Sequence, residues 1–240
     1  MPRDGYNHVE SPPRLPVWTT TAVGPDRPSG DLANAAPGRV RRITKRLAIG
    51  ALVWLAITFL LRDPLHYLID SSPASFGRFW PNRPWILAHV VGGVVALVLG
   101  PFQFWTRLRT RRPTVHHWIG RSYLAGVALA GAPAFYLAWV APNRSFGVAL
   151  FALAAVWCLA SGIAFAAILT RRISTHRAWM IRSYIITFAF VTFRFLGVLP
   201  IWGPFGRHGE AAAAWVSWVA PILVFQVILR RHDREARSIA

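Results

Sequence analysis

Six apolar stretches, each long enough to cross a bilayer, limit what this chain of 240 residues can become more than any other feature. They run roughly over residues 43–61, 85–105, 118–140, 146–169, 178–202 and 211–229. At a rise of roughly 1.5 Å per residue, each covers about 30 Å of hydrocarbon as a helix. Their apolar character is continuous and lacks the in-out alternation of barrel strands. Lipid offers backbone N–H and C=O groups no partner, so each stretch must satisfy its own, and helices are the expected form. The composition agrees, with 54% apolar side chains, twelve tryptophans and a mean hydropathy of +0.38.

The flanking segments differ in kind. Residues 1–42 carry seven prolines and no apolar run of signal-peptide length, and read as a disordered cytoplasmic tail. Residues 43–230 form the membrane domain, and 231–240 a short second tail. The formal net charge of +18 would suit a nucleic-acid binder if it lay on one stripe of a soluble fold. Here the basic residues sit in short clusters between apolar runs, and no nucleic-acid motif is present. One side of the topology collects sixteen arginines and lysines near the segment ends, against five on the other. Both termini are therefore expected in the cytoplasm, with the protein in the cytoplasmic (inner) membrane. Trp80, Trp85, Trp105, Trp118, Trp139, Trp179 and Trp202 fall near segment boundaries, where interfacial anchors belong.

From Ser71 through Gly209 there is no Asp or Glu, yet this stretch carries fourteen arginines. Arg121, Arg182 and Arg194 lie inside apolar segments, where an unpartnered charge is costly. An anionic guest is one way to pair them: a lipid phosphate, a carboxylated cofactor or an anionic solute.

The chain also repeats itself at an offset of about sixty residues. Residues 110–123 read TRRPTVHHWIGRSY and residues 170–184 read TRRISTHRAWMIRSY. Both copies begin a helix running outward, so the second-third and fourth-fifth hairpins are expected to be parallel repeats around an axis normal to the membrane. The fold class is then all-α and polytopic, with six transmembrane helices and a central four-helix bundle of helices two to five. The first and sixth would flank it.

In such a bundle His116 and His176 occupy equivalent positions and can face each other as the two ligands of a b-type haem iron. Arg121 and Arg182 would meet its propionates, and Tyr123 and Tyr184 would add hydroxyls. The same residues also read as lipid-headgroup contacts and helix starts, with Thr114, Ser174 and Thr175 as caps. Nearer the other face, His89 and Arg194 lie at comparable depth on the second and fifth helices. Together they would contact a quinone headgroup or an anion; alternatively, Arg194 snorkels to the surface.

Other chemistries are excluded. With no carboxylate in the spans, Asp or Glu proton relays and carboxylate-bridged metal centres are out of reach. The single cysteine, Cys158, allows no internal disulfide, and zinc-protease, phosphate-loop and serine-elbow motifs are missing. Gly92, Ala96 and Gly100 form a small-residue face for close helix approach, and Gln103 and Gln226 read as interhelical hydrogen-bonding groups.

The order of these motifs resembles a family of predicted bacterial membrane proteins known as domain of unknown function twenty-three-oh-six. The likeness rests on His89-Val-Val-Gly92, Gly100-Pro101-Phe102-Gln103, His116 with Gly120-Arg121 and Tyr123, and the run His176 to Tyr184. It covers about residues 85–200, with His117 standing where the family commonly has arginine. The resemblance implies a polytopic fold with recurring histidines and names no reaction. Three functions are consistent with the residues: haem- or quinone-linked electron transfer, lipid or anion binding or carriage without catalysis, and a membrane scaffold. Neither the oligomeric state nor an enzymatic activity is legible.

Overall fold

The computed structural model describes residues 31–70 and 72–238, and among these there is helix and no strand. In chain order the α-helices are α1 (Asp31–Arg62), α2 (Pro64–Ile69), α3 (Pro73–Phe76), α4 (Arg83–Gln103), α5 (Thr106–Arg111), α6 (Pro113–Trp139), α7 (Arg144–Leu169), α8 (Ile173–Gly197) and α9 (Gly209–Ser238). Two 3-10 segments, Gly77–Asn82 and Pro200–His208, lead into α4 and α9. Six helical stretches, centred on α1, α4, α6, α7, α8 and α9, are long and apolar enough to cross a membrane. The protein is thus a polytopic helical membrane protein, as the apolar runs require.

The chain divides into two units, residues 1–47 and 48–240. Of the first unit the described part is the start of α1, which begins at Asp31, ahead of the apolar run, in a stretch whose alanines favour helix. The tail reading of residues 1–30 lies outside the described residues. At the other end, α9 continues to Ser238, through most of the segment read as a second tail.

Within the second unit, α4 packs along α6 and α7 along α8, while α6 meets α7 and α4 meets α8, closing a four-helix arrangement. The sixth span does more than flank it. α9 lies on both α7 and α8, burying Ala211, Ala213, Ala214, Ser217 and Trp218. By contrast the first span buries none of its apolar window, whereas those of α6 and α7 bury 39% each, so the core belongs to the later helices. It is built around Tyr123, Leu153, Trp157, Met180 and Ile186.

Small residues set the helix spacing. A Cβ on Gly92 would lie 2.5 Å from the Gly126 carbonyl oxygen and 2.7 Å from the Ala130 nitrogen, so α4 and α6 touch backbone to backbone. One turn beyond Ala96, Gly100 lies beneath the ring of Tyr184 on α8. The stripe Gly92, Ala96, Gly100 therefore serves two neighbours.

Helix ends follow local chemistry. Asn143 caps α7, its Oδ1 accepting from the backbone N–H of Ser145 (3.1 Å) and of Phe146 (3.5 Å). The far end of α7 closes with the Arg172 N–H donating to Ala167 O at 2.8 Å and the Arg171 N–H to Ile168 O at 3.1 Å. This is a Schellman turn, with Arg171 at φ 58° in the left-handed position that glycine usually takes.

Candidate functional site

The two ends of the bundle treat their polar residues differently. At the arginine-rich end, His116 and His176 each occupy the first turn of their helix, α6 and α8, and lie within electrostatic reach of one another. Nδ1–H of His176 donates to the Ala164 carbonyl at 2.8 Å, which leaves Nε2 uncommitted. His116 turns inward, its Nδ1 buried without a hydrogen-bond partner, while its neighbour His117 is exposed. Gln103 donates to the His116 carbonyl at 3.3 Å, the interhelical role expected of it.

The arginines expected beside these histidines go to different partners. Arg121 is exposed, its guanidinium 5.3 Å from the Trp118 ring. Arg182 is half-buried and turned toward α9, donating to Gln226 Oε1 at 2.7 Å and to Ala178 O at 3.1 Å. The rings of Trp179 and Phe225 flank it at 4.9 and 5.3 Å. The tyrosines diverge as well. Tyr184 donates to Leu97 O at 3.2 Å, whereas the Tyr123 hydroxyl sits in the core, 2.6 Å from Ser183 Oγ and 3.0 Å from Thr187 Oγ1.

Tyr123 belongs to a buried polar network that joins α6, α7 and α8. The indole N–H of Trp157 donates to Thr187 Oγ1 at 2.9 Å, Thr187 donates to Ser183 O at 3.0 Å, and Ser161 donates to Trp157 O at 2.8 Å. Ser161 and Ser183 hydroxyls are 2.7 Å apart. One assignment serves the two shortest contacts: Tyr123 donates to Ser183, and Ser183 donates to Ser161. With no water in a bilayer interior, such closure is what allows these groups to be there. The network escaped sequence reasoning because isolated Ser and Thr in apolar runs carry no spacing signal.

At the arginine-poor end the polar groups leave space. His89 on α4 donates Nδ1–H to Ala130 O at 2.9 Å and meets the Phe190 ring edge-on at 5.2 Å. His89 and Arg194 line one cavity of about 110 Å³, with Phe59, Tyr67, Trp157 and Thr187 among its walls. Thr187 ties this cavity to the polar network. Next to it lies a cleft of about 550 Å³ that Arg62, Trp202 and Glu210 line, and the two spaces share Phe59, Asp63 and Arg194. Neither space is lined by His116 or His176.

Arg194 is ion-paired, Nε to Asp63 Oδ1 at 3.2 Å. The expectation of membrane arginines without a carboxylate therefore fails at Arg194, and among the described residues it holds for Arg121 and Arg182. Asp63 precedes the acid-free stretch, just past the end of α1, and so escaped notice. Topology could have found it. The first and fifth spans run the same way, which brings their C-terminal ends, and with them Asp63 and Arg194, to one level.

Fold and site together define a polytopic helical membrane protein with a small, mostly apolar cavity at one end of its bundle. The chain belongs to the family described as predicted membrane protein (DUF2306), whose sequence profile matches residues 86–229, more than half of its length. That span holds all eight candidate residues; α1 and Asp63 lie outside it. No curated protein and no solved structure matches the chain.

Proposed function

We propose that the protein binds a small lipid-soluble molecule of the quinone class in the cavity between His89 and Arg194, on the extra-cytoplasmic side of the inner membrane. One observation carries the reading: the histidine and the arginine expected to meet such a headgroup line the same space, and the rest of its wall is mainly apolar and aromatic. With Nδ1–H committed to Ala130, the neutral His89 ring has an acceptor, Nε2, for a ligand hydroxyl, and Arg194 supplies donors for a carbonyl. Alone the cavity is smaller than a space known to take a single ring, so a bound ring extends into the adjoining cleft. A cavity of roughly 150 Å³ holds benzene, and this one is about 110 Å³.

The test is a titration of the protein in lipid nanodiscs with a water-soluble benzoquinone lacking an isoprenoid tail, followed by tryptophan quenching, and with its hydroquinone, followed by displacement of the quinone. His89→Leu is expected to weaken hydroquinone binding by roughly fivefold to a hundredfold, the range for leaving its hydroxyl unpartnered at a cost of about 1–3 kcal/mol. Gly93→Leu, whose side chain would grow into open space on the cavity wall, is expected to abolish it. Wild-type affinity in both variants would overturn the reading.

A second reading is a b-type haem held by His116 and His176. What favours it is that His176 is anchored through Nδ1 in the manner of a metal-ligating imidazole, while His116 keeps a buried, unpartnered Nδ1 nearby. Bound there, haem would supply one-electron transfer. Arg121 and Arg182 are a poorer fit to its propionates, since one stacks on Trp118 and the other is held by Gln226. Protein expressed with haem supplied and purified in detergent decides the matter: a Soret band lost in His176→Ala supports this reading, and a colourless product discards it.

A further inference from the structure

We infer that the cavity beside His89 is reached from the arginine-poor end of the bundle, through a gate formed by the Asp63–Arg194 ion pair. The inference rests on the reading of that cavity as a ligand site, and adds to it a path and the residues that control it. Phe59, Asp63 and Arg194 line both the cavity and the neighbouring cleft, so they form the partition between them. That partition amounts to one aromatic ring and one ion pair.

The pair is built to open. Its only direct contact is a single one, Nε to Oδ1 at 3.2 Å, without the two-bond fork that makes arginine–carboxylate pairs rigid. The Arg194 side chain is 56% exposed and that of Asp63 30%. With water in the cleft that it lines, such a pair shifts an equilibrium by no more than about fivefold. The cleft also offers each partner a substitute: Glu210 for Arg194 and Arg62 for Asp63, both of which line it. With Arg194 turned to Glu210 instead of Asp63, the ring of Phe59 would be what remains of the partition. Arg194 thus has two states, one closing the cavity and one joining it to a cleft large enough for a ring-sized molecule to pass.

Stopped-flow quenching with the same tail-less benzoquinone, on full-length protein in nanodiscs, tests the gate. In Asp63→Asn, association and dissociation should both quicken by about threefold to fivefold, while their ratio moves less than about twofold. Asp63→Glu, which restores a carboxylate, should return the wild-type rates. Raising salt from about 50 to about 500 mM should speed exchange in wild type through screening, and leave Asp63→Asn unchanged. The salt series on wild type needs no variant to fold. Unchanged rates in Asp63→Asn would overturn the gate in favour of access from the lipid. So would a change confined to dissociation, which would make Asp63 a ligand contact. A wild type that shows no quenching at any concentration would overturn the cavity reading, and the gate with it.

Discussion

The bundle spends its polar side chains differently at its two ends. At the arginine-rich end His176 is taken up by Ala164, Gln103 by His116, Arg182 by Gln226 and Tyr184 by Leu97, each contact crossing between helices. At the other end His89 is anchored in a similar way, to Ala130, but a cavity is left against it and Arg194 lines the same space. The residues are of the same kinds, and packing decides which of them stay available. A histidine or arginine in a span is therefore weak evidence of a ligand site until the volume around it is known.

The sharpest way to break this comparison is through two adjacent glycines on α4. Gly92 lies at the contact with α6, where an added Cβ would strike the Gly126 carbonyl, whereas a Cβ on Gly93 meets nothing within 4 Å. Gly92→Ala should destabilise by about 3 kcal/mol or more, because two backbones must separate. Gly93→Ala should be neutral, or stabilise by up to about 1 kcal/mol from helix propensity, since the cavity absorbs the methyl. Reversible denaturation in mixed micelles measures both. Equal destabilisation of the two variants would mean that the space beside Gly93 is filled by packed side chains.

A smaller effect is expected at Thr187, where the sealed network and the open cavity meet. Thr187→Val keeps the shape and removes the hydroxyl that accepts from Trp157 and lies 3.0 Å from that of Tyr123. Tyr123 keeps Ser183, but the indole N–H of buried Trp157 loses the acceptor it has here. The cost should be about 1–3 kcal/mol in the same denaturation assay. A cost near zero would indicate that water from the cavity replaces the hydroxyl, and would place the boundary between dry core and wet cavity deeper than Thr187.

What the sequence revealed follows the same division. The six spans were legible because lipid demands an uninterrupted apolar run, and the glycine stripe of α4 because small residues recur every fourth position. The level shared by His89 and Arg194 was legible from counting residues along two helices. Side-chain direction was not. Arg121 and Arg182 hold matching places in the two copies of the motif, yet only Arg182 has α9 beside it to supply Gln226. Asp63 pairs the first and fifth spans, a contact between segments too far apart for any local pattern to mark. The buried role of the sixth span was hidden for a similar reason: Ala211, Ala213, Ala214 and Ser217 are too small to read as core until a neighbour is packed on them.

The smallest effect belongs to the turn between α7 and α8, at the arginine-rich end. There the chain reverses through Arg171 at φ 58°, a conformation that costs an L-residue with a Cβ roughly 1–2 kcal/mol. The turn is held by the two backbone hydrogen bonds to Ala167 and Ile168, neither of which involves the arginine side chain. Arg171→Gly removes the strain but returns part of the gain, because glycine makes the unfolded chain more flexible. The net expectation is stabilisation by about 0.5–1 kcal/mol, with binding at the distant His89 cavity unchanged. A loss of stability would show instead that the Arg171 side chain contributes more by its placement at the membrane surface than its backbone costs. The sealing of this end would then depend on its exposed charges as well as on its interhelical contacts.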